Sequence, residues 1–210
     1  MASDIKKSIL SGILICVGGT VFLSCSAKGF DWLGAFLFAA GLFTICEYGF
    51  NLYTGKVGYI VRDFRNAGYI GMVALTLAFN LLTTFLLGIL LGRTLPLIRP
   101  VAEQLYAAKL VAAPFKSFVS AVLCGLLMFL SVDTWARGNK VGCFLYIPTF
   151  ILCGFDHSIA NSFYNGVAMG SRTFTAENAL FVITVIIGNG AGGMLVPLLS
   201  WNWYKKDSAK

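Results

Sequence analysis

Long apolar runs separated by short polar breaks dominate the chain. Residues 8–27 carry no charge, and neither do residues 66–92, 117–132, 141–155 and 178–204. A further apolar stretch begins at Asp31-Trp32 and continues to about Leu52, interrupted by Glu47. Runs of this kind match the roughly 20 residues that an α-helix needs to cross a bilayer, so the pattern predicts six transmembrane helices. Short polar segments join them: Arg62, Asp63 and Arg65; a connector from Arg93 to Glu103 with prolines at 96 and 100; and the basic turn Arg137-Gly138-Asn139-Lys140. Thr175 is placed to cap the last helix, with Glu177 favourably in its first turn. The fourth span is the least clean, because Lys109 and Lys116 sit at its start.

Two of the spans carry interruptions. The second reaches Asn51-Leu52-Tyr53-Thr54-Gly55-Lys56-Val57-Gly58, which reads as opened backbone. Irregular backbone at membrane depth survives only when buried in protein or lining a water-filled cavity. A plain loop ending the helix at Thr54-Gly55-Lys56 fits equally well. The fifth span passes Pro148 and then meets residues 156–166, where Asn161, Asn165 and Gly166 weaken helix. The two halves, about 1–95 and 105–210, therefore run alike: a plain span, a broken span, then a span holding an asparagine, Asn80 or Asn189. Three spans per half give the repeats inverted topology, and matched interrupted segments point to a site at the bilayer midplane. The run Gly188-Asn189-Gly190-Ala191-Gly192-Gly193 suits close helix packing. It is not a nucleotide-binding loop, since no strand precedes it.

Composition agrees with a membrane solvent. The chain is 58% hydrophobic and 12% charged, more apolar surface than a soluble domain of 210 residues hides. Its net charge of +7 then belongs to orienting loops, and nucleic acid is not an expected partner. With six spans, the side holding both termini carries ten basic residues against six on the other, out of 16. This bias predicts a multi-pass protein of the cell membrane with cytoplasmic N- and C-termini. The run after Lys6-Lys7, with Leu23-Ser24-Cys25, invites comparison with a signal peptide, but it is long enough to span and more spans follow. The six cysteines lack zinc or redox spacing and read as buried thiols. One integral membrane domain over 1–210, with no metal or cofactor, is expected.

The lone histidine, His157, lies in Cys153-Gly154-Phe155-Asp156-His157-Ser158-Ile159-Ala160-Asn161. Ionisable groups inside a span are costly and tend to mark ion or proton pathways. A satisfied structural histidine is the competing reading.

Gly154 to Asn161 resembles the signature of the formate/nitrite transporter family, with Asp156 in place of the usual glutamate. Leu52-Tyr53-Thr54-Gly55 is similar to that family's motif in its broken second helix, and residues 188–193 to its glycine-rich sixth helix. The resemblance covers nearly the whole chain. It implies an all-α, aquaporin-like membrane fold of six helices in two inverted three-helix repeats, with broken second and fifth helices. It also implies homopentamers embedded in the lipid bilayer, with one pore per protomer. A pore-facing histidine matches His157, a loop threonine matches Thr54, and a vestibule lysine matches Lys109, with Lys116 as competitor. Constrictions on either side of the histidine match Phe38, Leu42, Leu52 and Phe150. Asn51, Asp156, Asn161, Asn80 and Asn189 would support the pore loops. Gly125 falls where the family has an asparagine. Asp133 and Glu47 are departures that read as helix-end or intersubunit groups.

The expected function follows from an electrostatic problem. A bare anion in low dielectric pays several kcal/mol or more. Half-helix N-termini aimed at the midplane and Lys109 would offset part of that cost. Desolvation favours the neutral form of a weak acid, and His157, whose unperturbed pKa is near neutrality, is the proton partner. The predicted substrates are small monovalent anions or their weak acids (formate, nitrite, hydrosulfide or similar), carried passively or linked to protons. A neutral-solute pore like an aquaglyceroporin is the alternative. A membrane enzyme is disfavoured, because one histidine without a nucleophile or metal set provides no catalytic constellation.

Overall fold

The computed structural model describes residues 1–200. They form α1 (Ala2–Ser26), α2 (Asp31–Glu47), α3 (Tyr53–Lys56), a 3-10 turn (Val57–Val61), α4 (Ala67–Thr94), α5 (Arg99–Leu110), α6 (Pro114–Ala136), α7 (Val141–Leu152), α8 (Ser158–Val167) and α9 (Ala176–Leu199). No strand occurs among the described residues. Four helices, α1, α4, α6 and α9, are each long and apolar enough to cross a membrane alone. Leucines 82, 86 and 90 form an exposed stripe along α4, and Leu180, Ile183 and Ile187 do the same on α9. Apolar stripes of this kind suit lipid as the surrounding solvent.

The interior is built on close backbone approach. A side chain at Gly192 or Gly125 would collide with the carbonyls of Val122 or Asn189, so α6 and α9 meet backbone to backbone. Gly88 on α4 and Gly166 on α8 make the same kind of contact with the backbones of Phe163 and Phe85. Small residues at helix interfaces are how membrane helices gain packing contact without a hydrophobic drive. Gly125 is therefore a packing position against α9.

Helix ends follow local chemistry. Asn66 accepts from Tyr69 N–H at 3.0 Å, Thr175 accepts from Asn178 N–H at 3.3 Å, and proline occupies the first turn of α5 and of α6. The two split spans end their first pieces identically. Gly49 (φ +63°) and Gly154 (φ +68°) stand in the left-handed region. The N–H of Phe50 returns to Ile45 O and that of Phe155 to Phe150 O, each at 2.9 Å. This six-to-one bond after a left-handed glycine defines a Schellman stop.

Several expectations are corrected. The interruptions are shorter than the polar stretches suggested: helix resumes at Tyr53 and Ser158, so Asn161, Asn165 and Gly166 lie inside regular helix. Lys109 does not begin the fourth span. It closes a separate helix, α5, before α6 starts at Pro114. Glu47 does not interrupt α2 but ends it, pairing with Lys140 at 2.9 Å. Asp133 accepts from Arg137 Nε at 2.8 Å, from Tyr59 OH at 3.2 Å and from Arg62 at 3.4 Å, fastening the end of α6 to the 3-10 turn. The predicted continuation of the last span to Tyr204 lies outside the described residues, as do Lys205, Lys206 and Lys210.

Candidate functional site: two helix breaks facing each other

Both breaks present one extended residue just before a new helix begins. Leu52 (φ −114°, ψ 128°) precedes α3, and His157 (φ −100°, ψ 114°) precedes α8. Each is held by a fully buried asparagine from a neighbouring helix. Asn80 accepts from Tyr53 N–H at 2.9 Å and donates to Asn51 O at 3.2 Å and Ser8 O at 2.7 Å. Asn189 accepts from Ser158 N–H at 2.8 Å and donates to Asp156 O and Ala121 O, both at 2.8 Å. Each side-chain amide thus grips the carbonyl before the extended residue and the N–H after it. Buried backbone groups without such partners would each cost a lost hydrogen bond. The arrangement makes Gly49-Phe50-Asn51-Leu52-Tyr53 the counterpart of Gly154-Phe155-Asp156-His157-Ser158, a Gly-Phe register that the sequence displays and that our reading of the two halves did not use.

His157 converges with Thr54. His157 Nε2 lies 2.9 Å from Thr54 Oγ1. Its Nδ1 accepts the Ala160 N–H at 3.1 Å, so the ring is a neutral imidazole carrying its proton on Nε2, which donates to Thr54 Oγ1. Phe150 stacks on the imidazole at 5.6 Å between centroids, and Phe38 meets Phe150 edge-on at 6.3 Å. Phe38, Leu42, Leu52 and Phe150 are all buried within one apolar cluster. The polar pair is buried, with Phe150 against the ring.

On one side of His157 lies a cavity of about 30 Å³, bordered by Lys109, Phe150, Asn161 and also by Phe22 and Tyr164. Sequence reading missed the last two. Tyr164 follows His157 by seven residues, a helical interval that becomes visible only once α8 is known to be regular. Lys109 Nζ sits 2.6 Å from Asp156 Oδ1, and both side chains are largely buried. Asn161 donates to the same carboxylate oxygen at 3.0 Å, while the Asp156 N–H donates to Ser120 Oγ at 3.0 Å. Lys116 lines a separate groove that Lys109 also borders, but not the cavity beside His157. The side chain of Asn51, the counterpart of Asp156, makes a long 3.5 Å contact with Asp4 Oδ1. Among the described residues no group of histidine, cysteine or carboxylate side chains has the proximity to hold a metal.

A lipid-facing helical exterior wrapped round a buried polar pair suits a membrane channel or carrier. The model of the formate/nitrite transporter family matches residues 3–204, and the chain belongs to that family. Solved structures share the fold, two of them as follows. One, described as a pentameric formate channel with formate bound, is 21% identical with a TM-score of 0.73, covering 100% of this chain and 98% of the other. The second, described as an FNT family ion channel, is 20% identical with a TM-score of 0.76, covering 97% of this chain and 88% of the other. No curated protein matches the chain.

Proposed function

We propose that the protein carries small monovalent anions, as their weak acids, through a pore in each protomer centred on His157 and Thr54. The observation that carries this reading is the buried 2.9 Å His157–Thr54 contact, with Phe150 stacked on the imidazole and Phe38 against Phe150; Leu42 and Leu52 complete the constrictions in this reading. Lys109 draws the anion towards the cavity, although its partner Asp156 offsets part of its field. Leaving water favours the protonated form of a weak acid, so the solute takes its proton at the mouth and proceeds neutral. The neutral imidazole suits that species. Nε2–H donates to the acid's carbonyl oxygen while the acid's O–H donates to Thr54 Oγ1, replacing the contact that the two side chains make with each other. His157 acts here as a hydrogen-bond donor, and the proton travels with the solute.

The matched Schellman stops and the paired amide clamps of Asn80 and Asn189 support reading the chain as two inverted repeats with broken second and fifth helices. The pentameric state of the formate-channel neighbour supports a homopentamer, and the basic bias supports cytoplasmic termini in the cell membrane. The test is uptake of formate, nitrite and hydrosulfide into proteoliposomes with an imposed proton gradient. Uptake accelerated by an inward gradient agrees with the proposal. Uptake of glycerol at comparable rates, with anion uptake absent, would replace it with a neutral-solute pore.

A further inference from the structure

Cys46 on α2 and Cys143 on α7 are far apart in sequence and meet in the fold. The two helices run antiparallel along one seam. Phe38 meets Phe150 at 6.3 Å, Phe43 meets Phe144 at 5.7 Å, and Glu47 pairs with Lys140 at 2.9 Å. Cys46 stands between Phe43 and Glu47, and Cys143 between Lys140 and Phe144, so the seam brings the two side chains together. The thiols are in hydrogen-bond contact with each other, and Cys143 Sγ also accepts from Ser131 Oγ at 3.4 Å. Both cysteines are free. Cys143 is buried, whereas Cys46 is half-buried and open to a small solute.

The same seam carries Phe38, Leu42 and Phe150. Leu42 lies one helical turn from Cys46 and Phe38 two turns, on one face of α2, and Phe150 lies two turns from Cys143 on α7. A covalent tie between the sulfur atoms would hold α2 against α7 and keep Phe38 and Phe150 from parting.

We infer that Cys46 and Cys143 form a reversible dithiol–disulfide switch on the α2–α7 seam, oxidised by a small peroxide. In the first step Cys46 Sγ attacks one oxygen of hydrogen peroxide and the O–O bond breaks. Cys46 becomes a sulfenic acid, and its thiol proton leaves with the other oxygen as water. In the second step Cys143 Sγ attacks Cys46 Sγ and the S–O bond breaks. The disulfide forms, and the hydroxyl leaves with the Cys143 proton as a second water. Two thiols are oxidised and one peroxide is reduced, and a reducing dithiol reverses the change. The effect of the bond on flux rests on the transport reading above, whereas its formation does not.

The test uses the full-length protein in proteoliposomes, treated with hydrogen peroxide, alkylated, digested and mapped by mass spectrometry. The expected product is a peptide pair joined through Cys46 and Cys143 that dithiothreitol separates. Failure of that pair to form, with both thiols still alkylated or with Cys46 halted as an oxygen adduct, overturns the switch. Formate uptake should fall severalfold on oxidation, recover with dithiothreitol, and stay insensitive to peroxide in Cys46→Ser and in Cys143→Ala. Equal uptake by the reduced and the mapped disulfide forms overturns the control of flux. An equal loss of uptake in wild type and both variants also overturns it, placing the oxidation elsewhere. Absence of formate uptake by the reduced wild type would sink the transport reading and leave the peptide map to judge the bond.

Discussion

Asn80 and Asn189 show how single side chains hold an opened membrane helix in place. Each satisfies the carbonyl before and the N–H after an extended residue. Replacing Asn189 with leucine strands several buried groups at once and should cost about 3 kcal/mol, read as a lowered midpoint of thermal unfolding in detergent. Asp156 and Lys109 form a largely buried pair. Removing one partner leaves a buried charge uncompensated, whereas removing both does not. Asp156→Leu should therefore destabilise by about 3 kcal/mol, and Lys109→Met in the same chain should recover most of that. Equal losses in the single and double variants would show that the pair is not energetically coupled. His157 stood out in the sequence as a lone ionisable group in apolar surroundings, whereas the roles of Thr54, Lys109, Phe38, Leu42, Leu52 and Phe150 came only from the family resemblance. Tyr164 and Phe22 did not stand out, since aromatic residues are common near helix ends and only geometry brings them to a cavity.

At the scale of elements, the two breaks act through glycine. Gly49 and Gly154 have positive φ, and alanine at either position would be strained. Gly154→Ala should cost about 1 kcal/mol and shift the register that presents His157, lowering uptake more than stability. Gly192→Val should do the reverse, forcing α6 and α9 apart at Val122 and lowering yield and thermal midpoint together. The long apolar helices were readable because hydropathy reports them directly. Their interruptions were read as too wide, since polar residues that weaken an isolated helix are tolerated once tertiary partners satisfy them. Helix resumes at Tyr53 and Ser158 because Asn80 and Asn189 accept the N–H groups of those residues. The separate helix α5 was hidden for a related reason: it is short, mixed in polarity and framed by proline, which reads as a connector.

For the whole molecule, the proposed action is passage of a small solute through each protomer past a neutral, hydrogen-bonding histidine. The Gly-Phe register shared by the two breaks makes Leu52 the counterpart of His157, so one half contributes an apolar plug where the other contributes a polar contact. In the proposed function that asymmetry would let a neutral acid be recognised without stabilising a bare ion. The most direct measurement is formate uptake into proteoliposomes between pH 5 and 8, for wild type and His157→Leu. Neutral formic acid becomes more abundant as pH falls, so wild-type uptake should climb towards pH 5. Loss of the Nε2–H donor in His157→Leu should lower uptake at every pH while leaving the rise towards pH 5, which belongs to the solute. Flat profiles, the same in both proteins, would contradict the account and leave His157 a structural residue.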